Sequence, residues 1–366
     1  MRSPNITYLP AVDHLRGFAA LWIVAYHGQQ LVGSLLAHGR LFVAGDWIFT
    51  ANPLAALLYE GHTAVALFMT LSGFIFTYGA YGRRIDYRAF VVNRLLRIYP
   101  LFVVVLLAGV AYFPGRVDMG RLLSSVFLFA NVANLDLSPM SAMFWAVSVE
   151  FQFYLLFPAL LAFLSPRPWR HALQVVALAL ALRLLGVLLG ASPRDLSYFH
   201  LLGRIDQFVA GMLAAMWLRG RNGAPVPGPV AAAAATAALG LLYGFHRMGG
   251  WPVDAPWKIA WPLLEGAAWA ACIATYVGAV DPWPSVLSRW LAAAGQISYS
   301  IYLFHFAIVL VVTERGFALT PFGRPGRDAL VTTWALIVPV TMLLATLSYQ
   351  TVERPFLALR RKYLRD

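Results

Sequence analysis

Cysteine is almost missing from this chain, and charge is scarce. The single cysteine, Cys272, leaves no partner for an intrachain disulfide and no thiolate set for a metal. Charged residues are 12% of the 366 and apolar residues 60%, at a mean hydropathy of +0.68. That balance excludes an ordinary soluble domain and predicts an all-α, polytopic membrane bundle. Long hydrophilic regions and internal repeats are also missing, so residues 1–366 read as a single membrane-embedded domain. Acidic residues are few, 16 against 28 Lys and Arg. In a soluble chain the resulting charge of +12 would suggest nucleic acid. Here the basic residues gather at the ends of hydrophobic runs, where the positive-inside rule explains them, and a lipid bilayer replaces nucleic acid as the expected partner.

What is present is a series of apolar runs of spanning length. They lie at about 15–35, 63–80, 97–113, 144–164, 172–190, 204–219, 229–246, 259–279, 290–313 and 329–350. More spans follow the first run, which therefore reads as a retained helix and not a cleaved signal peptide. A shorter segment, 122–135, carries Ser124, Ser125, Asn131 and Asn134. It either spans as an eleventh helix or dips in and returns. With ten helices and a cytoplasmic N-terminus, most Lys and Arg fall inside; with eleven, the two sides come out nearly even. The charge rule selects about ten helices, with a re-entrant segment near 122–143. Both termini and the 81–96 loop are then cytoplasmic, and 36–62 and 314–328 external.

Polar residues inside these runs are the candidates for chemistry. Asp13-His14-Leu15-Arg16-Gly17 leads through the uncharged stretch Gly17 to Tyr26 and ends at His27. At about 100° per residue Arg16 and His27 share a helix face, roughly 16 Å apart along the axis. That is half of a hydrocarbon core of about 30 Å. A histidine near the midplane needs a partner or a water-filled cavity, so a functional reading stands beside that of a histidine satisfied by a neighbouring helix. Arg94 and Arg97 lie three apart at the inner edge, where two guanidinium forks suit a phosphorylated ligand or simply anchor the helix. Ser72-Gly73 reads better as a close helix contact than as a nucleophile, because no base or acid lies near it in sequence. Glu150 sits roughly 9 Å below the outer end of its span, at the height of His27. Either that imidazole or Arg183 is its expected partner. His305 adds a second histidine in the outer half. Arg204 and Asp206, two apart, cannot face each other and must each find other partners. The pattern predicts a polar path from a basic inner mouth to a polar outer cleft.

These stretches together resemble the acyltransferase-3 family of integral membrane acyltransferases. The similarity lies in Asp13-x-Leu15-Arg16-Gly17 leading to His27, then Phe68-x3-Ser72-Gly73-Phe74, Arg94-x2-Arg97, Trp145-x4-Glu150-x3-Tyr154, and Tyr299-x2-Tyr302-Leu303-x-His305. The motifs run in order from residue 9 to about 355. His14 departs from the pattern, which more often has glycine there, and the SGNH-type hydrolase domain of some members is not expected. The resemblance implies a bacterial surface-carbohydrate O-acetyltransferase of the inner membrane. Its co-substrate would be acyl-CoA, most simply acetyl-CoA, with no permanently bound cofactor and no metal. The acceptor would be a carbohydrate or lipid-linked glycan, such as an exopolysaccharide or O-antigen. His27 and Glu150 would then be catalytic, and Arg16, Arg94 and Arg97 would bind the donor. Asp13, Ser72, Trp145, Arg204, Asp206, Tyr299 and His305 would form or support the acceptor site. The alternatives are a transporter or flippase of a lipid-linked sugar, which would change location without changing acceptor mass, and acylation of a small glycoside or antibiotic.

The topology has a direct test. In a Cys272→Ala background, an Arg361→Cys variant is expected to label only from the cytoplasmic side. Labelling from outside would overturn the ten-helix arrangement.

Overall fold

The computed structural model describes residue 5 and residues 8–112, 115, 118–132, 141–279 and 283–365. Helices follow the apolar runs, and local chemistry sets where they begin. Proline in the first turn, where its missing N–H is not needed, opens α1 (Pro10–His38) and α2 (Pro53–Tyr59). The Asn52 side chain caps α2 by accepting from two backbone N–H groups. Next come α3 (Thr63–Ala80), α4 (Tyr87–Tyr112), the short α5 (Met119–Val126), α6 (Phe144–Leu164) and α7 (Pro168–Leu188). The chain continues with α8 (Pro193–Phe199), α9 (Leu201–Gly220), α10 (Gly228–Arg247), α11 (Trp261–Gly278), α12 (Ser285–Gln296) and α13 (Ser298–Glu314). Finally α14 (Pro325–Thr332), α15 (Val338–Ser348) and α16 (Arg354–Ala358) are joined by π-helical turns into one long rod. Among the described residues the only sheet is a two-residue antiparallel pair, Arg84–Ile85 with Leu364–Arg365.

This is the expected polytopic helical membrane protein. Seven helices are long and apolar enough to cross a bilayer alone: α3, α4, α6, α7, α9, α10 and the Pro325–Ala358 rod. The bent pair α12–α13 makes an eighth, while α1 and α11 carry the remaining two apolar runs. One expectation changes. The run 290–313 is not one straight helix, because it breaks at Ile297 with a bend of 72°. The segment 122–135 is not an eleventh span, as the ten-helix reading expects. Its helix α5 has 8 residues, about 12 Å of rise against a core of about 30 Å. It is followed by turns to residue 132, and residues 133–140 lie outside the described residues.

Backbone contact organises the bundle. At Gly73 an added Cβ would fall on the carbonyl of Phe208, and at Gly211 on the carbonyl of Thr70. Helices α3 and α9 therefore cross with nothing between their backbones, as small residues allow within a membrane. The crossing of α1 with α12 is built the same way, from Gly17 against Leu291 and Gly295 against Asp13. Around these crossings lies one large core that includes Phe74, Phe153, Phe208 and Met212. A second core joins α1 to α13 and the long rod through Val24, Ile301, Val309 and Ile337.

Gly211→Val forces a branched side chain onto the Thr70 carbonyl. The expected loss is about 3 kcal/mol or more, at or above the upper end of ordinary overpacking. Gly240→Ala on α10 meets nothing within 4 Å and should be neutral or slightly stabilising. Thermal unfolding of the two variants in detergent checks the contrast.

Candidate active site

The elements just described enclose two cavities that share a wall. The first, about 470 Å³, is lined by arginine: Arg16 from α1, Arg94 and Arg97 from α4, and Arg360 from the segment after α16. Asp13, Ser72, Glu150, Tyr154 and Tyr299 also face it. Arg97 donates to Glu353 at 2.8 Å and lies 5.4 Å from the Tyr299 ring. The other Glu353 oxygen accepts from the Ser300 hydroxyl. The hydroxyl of Tyr299 is tied to the Ile98 carbonyl at 2.9 Å. Arg94 packs its guanidinium over Phe76 at 4.7 Å and Phe90 at 5.5 Å. Its Nε is buried and has no partner among the described residues. Arg16 reaches Asp13 only at 3.9 Å. Two members of the notional pair Arg94–Arg97 thus share a face but not a state: one is neutralised by a carboxylate, the other is held by rings.

The second cavity, about 550 Å³, is aromatic. Trp145, Tyr198, Phe199 and Trp251 line it together with His27 and the ion pair Arg194–Asp195. The rings of Tyr198 and Phe199 stand 5.0 and 5.1 Å from Trp145. Val65 and Tyr302 line both cavities and so form the partition. Tyr302 is fixed there by a hydrogen bond from its hydroxyl to the Met143 carbonyl at 3.2 Å.

His27 and His305 meet at the aromatic cavity, with Nδ1 of His27 3.0 Å from Nε2 of His305. The tautomers follow from the backbone. Nδ1 of His305 lies 2.6 Å from the Tyr302 carbonyl, and a carbonyl only accepts, so this nitrogen carries the hydrogen. In a neutral ring Nε2 of His305 is then an acceptor, and Nδ1 of His27 must donate to it. That leaves Nε2 of His27 with a lone pair, which is what a general base or nucleophile requires.

Several sequence-based placements are thereby revised. Glu150 does not pair with His27 or with Arg183. Its Oε1 accepts from the Ser72 hydroxyl at 2.6 Å in the arginine cavity, so Ser72 has an acid partner that its sequence surroundings do not show. Arg183 pairs with Asp206 at 2.5 Å, both side chains fully buried. Arg204 donates to the Tyr198 carbonyl at 2.8 Å and to Gln207 at 3.2 Å. Arg204 and Asp206 therefore find separate partners as expected, but they line neither cavity and support the walls from behind. His14, the departure from the family pattern, is held by Tyr276 and Ser288 and does not line the arginine cavity. Sequence reasoning named Tyr302 in a motif without giving it a role, and it missed Arg360 and the Tyr198–Phe199–Trp251 wall.

Comparison with known proteins gives the family. The family described as acyltransferase domain, acyltransferase-3, matches residues 9–350. The chain belongs to the acyltransferase-3 family. Exopolysaccharide production protein ExoZ of Rhizobium meliloti (strain 1021) is 30% identical over 311 residues, covering 81% of this chain and 90% of that protein. O-acetyltransferase OatA of Staphylococcus aureus (strain NCTC 8325 / PS 47) is 25% identical over 97% of this chain. The putative peptidoglycan O-acetyltransferase YrhL of Bacillus subtilis (strain 168) is 24% identical over 95%. The chain spans 58% and 55% of the length of the latter two. No solved structure matches it.

In this membrane acyltransferase a buried acid holds the aromatic wall. Glu60, between α2 and α3, bonds His62 at 2.9 Å and Nδ1 of His246 at 2.8 Å. Nε2 of His246 accepts from the Thr50 N–H at 3.0 Å, so its Nδ1 is the donor to Glu60. Trp47 and Trp251 stack beside this cluster at 6.1 Å. Burial raises the Glu60 pKa, but the hydrogen bonds from His246 and His62 outweigh it and hold the carboxyl below its ordinary 4.5. A depressed carboxylate contributes stability that is present above the unfolded pKa and lost as pH falls through the folded one. The Trp47–Trp251 stack should therefore persist at pH 5 and loosen only below pH 4.5, the ordinary Glu value. Glu60→Gln should loosen it at neutral pH. Tryptophan fluorescence against pH reads both, and a wild-type transition above pH 5 would contradict the assignment.

Proposed function

We propose that this acyltransferase moves an acetyl group from cytoplasmic acetyl-CoA to a hydroxyl of a surface carbohydrate at the outer face of a bacterial inner membrane, with both termini cytoplasmic. The names of the relatives support a carbohydrate acceptor: an exopolysaccharide production protein and two O-acetyltransferases, one putatively of peptidoglycan. The observation that carries the reading is the pair of cavities back to back across Val65 and Tyr302. One presents guanidinium groups suited to phosphates. The other presents rings, on which the C–H face of a sugar packs, and His27.

A sugar hydroxyl is a weak nucleophile at neutral pH. Nε2 of His27 takes its proton as the oxygen attacks the thioester carbonyl, and the Nδ1–H bond to His305 fixes the ring for that transfer. The carbon–sulfur bond then breaks, and the proton passes from the imidazolium to the departing thiolate, giving ester and free CoA. The same lone pair also serves a two-step route. Nε2 attacks the thioester carbonyl, the carbon–sulfur bond breaks and CoA leaves with the Nδ1 proton. The hydroxyl then attacks the acyl-imidazole, its proton returns to Nδ1, and the acyl–nitrogen bond breaks to give the ester. Arg16, Arg94 and Arg97 bind donor phosphates in this reading, with Asp13 and Tyr299 positioning Arg16 and Arg97. Glu150 and Ser72 act on the donor side of the partition and do not orient the imidazole. Trp145 faces the acceptor, and Arg204 and Asp206 brace that wall.

His27→Gln should lower transfer of labelled acetyl to surface carbohydrate by on the order of a hundredfold or more, because an amide is no base, while donor binding is unchanged. His305→Ala should fall between this and wild type. Glu150→Gln should be milder, since an amide oxygen still accepts from Ser72. Near wild-type transfer by His27→Gln, normalised to protein level, would show that the histidine is structural. Equal acetyl content of surface polysaccharide with and without the gene would overturn the acceptor assignment.

A further inference from the structure

The chain does not leave the bundle at the end of α16. Residues 360–365 fold back across α4 and are held there by bonds to backbone atoms. The Asn93 side chain donates to the Arg361 carbonyl at 2.7 Å and accepts from the Arg361 N–H at 2.9 Å. Asn5 donates to the same carbonyl at 3.0 Å and accepts from the Tyr363 N–H at 2.6 Å. The Asp86 N–H reaches the Tyr363 carbonyl at 2.8 Å, and Leu364–Arg365 pairs with Arg84–Ile85. The Tyr363 ring packs on Phe90 at 5.2 Å. Asn93 is completely buried, in a place where an amide side chain is costly unless both ends are used.

This clasp sets Arg360 into the wall of the arginine cavity. Nε of Arg360 is bound to the Leu357 carbonyl at 3.0 Å, and among the described residues nothing takes its terminal nitrogens. Burial first, and then the charges of Arg94 and Arg97, push its pKa down to about 10. Of these three guanidinium groups only Arg97 has a carboxylate within 4 Å among the described residues. Nε of Arg94 is buried without a partner. Like charges held together without counter-charge are destabilising, and an anion with several oxygens removes the penalty by charge-assisted, bidentate contacts.

We propose that Arg360, delivered by the clasp of Asn93 and Asn5, is a phosphate-binding residue that completes the site for a phosphorylated acyl donor. This rests on the acyl-CoA reading above. Asn93 is a positioning residue: it holds the segment and does not touch the ligand. The ligand is a phosphate ester carried by the donor; a lipid headgroup could supply the same chemistry, and the test separates the two.

The test uses the full chain in zwitterionic phosphatidylcholine nanodiscs, with acetyl-CoA and with S-acetylpantetheine, which carries the thioester arm but no phosphate. For Arg360→Gln, KM for acetyl-CoA should rise on the order of ten- to a hundredfold, as expected for losing charge-assisted contacts. KM for S-acetylpantetheine should not change. Arg360→Lys should recover part of the loss, and Asn93→Ala should behave like Arg360→Gln. An equal rise for both donors would mean that the residue only shapes the cavity, and an unchanged KM for acetyl-CoA would remove it from the site. A donor effect that appears only when anionic lipid is added would assign the charge to headgroups instead. Wild-type protein that uses S-acetylpantetheine as well as acetyl-CoA would overturn phosphate recognition while leaving acyl transfer intact. Transfer from neither donor would overturn the functional reading itself, and this proposal with it.

Discussion

A polar atom in the hydrocarbon core has no water to turn to, and that constraint governs where almost every charged side chain of this protein lies. The four helices α3, α7, α9 and α11 show it best. Arg183 of α7 is neutralised by Asp206 of α9, while Arg204, Gln207 and Glu265 form a chain from α9 to α11. Thr63 at the start of α3 donates to Glu265 and receives the Trp269 indole N–H. Such a network closes only if the helices approach closely, and the Gly73 and Gly211 crossing permits that approach. Tight backbone contact and polar satisfaction are here two sides of one condition. Removing a single partner from so buried a set leaves an uncompensated charge.

Elsewhere in the bundle polar groups line cavities. The arginine cavity gathers more guanidinium than carboxylate. The aromatic cavity ends at an imidazole whose second nitrogen already has a partner. Three of the family's motifs straddle the two: Asp13 and Arg16 line the arginine cavity and His27 the aromatic one, Glu150 and Trp145 part in the same way, and Tyr299 lines only the first while Tyr302 lines both. Only Val65 and Tyr302 belong to both. The guanidinium groups and the imidazole thus stand on opposite sides of a partition that Val65 and Tyr302 form.

The spans were legible in sequence because hydrophobic length is a local property, and the alternation of runs and loops needs no knowledge of contacts. The face shared by Arg16 and His27 was legible for the same reason, since helical period fixes it. What sequence could not supply was partners. Arg97 meets Glu353 from 256 positions away, and His27 meets His305 from 278. Height along a helix suggested Glu150 for His27, but height ignores rotation, and Glu150 turns toward Ser72 instead. The break at Ile297 has no sequence signal, because its neighbours Ser298, Tyr299 and Ser300 are tolerated in a membrane helix. A basic residue such as Arg360 was indistinguishable from the other arginines that anchor topology until the chain was seen to fold back.

The Asn93–Arg361 clasp joins residues 268 positions apart, and that of Asn5 joins residues 356 apart. During synthesis the early helices insert long before the residues that close over them exist. The wall of the arginine cavity that carries Arg360 is thus fixed by a contact of extreme sequence separation, which pays its loop-closure entropy late. A nascent chain with its apolar segments already in the bilayer still has an open, uncovered arginine cluster. The order of the residues along the chain makes this a membrane protein whose assembly completes its arginine cavity last.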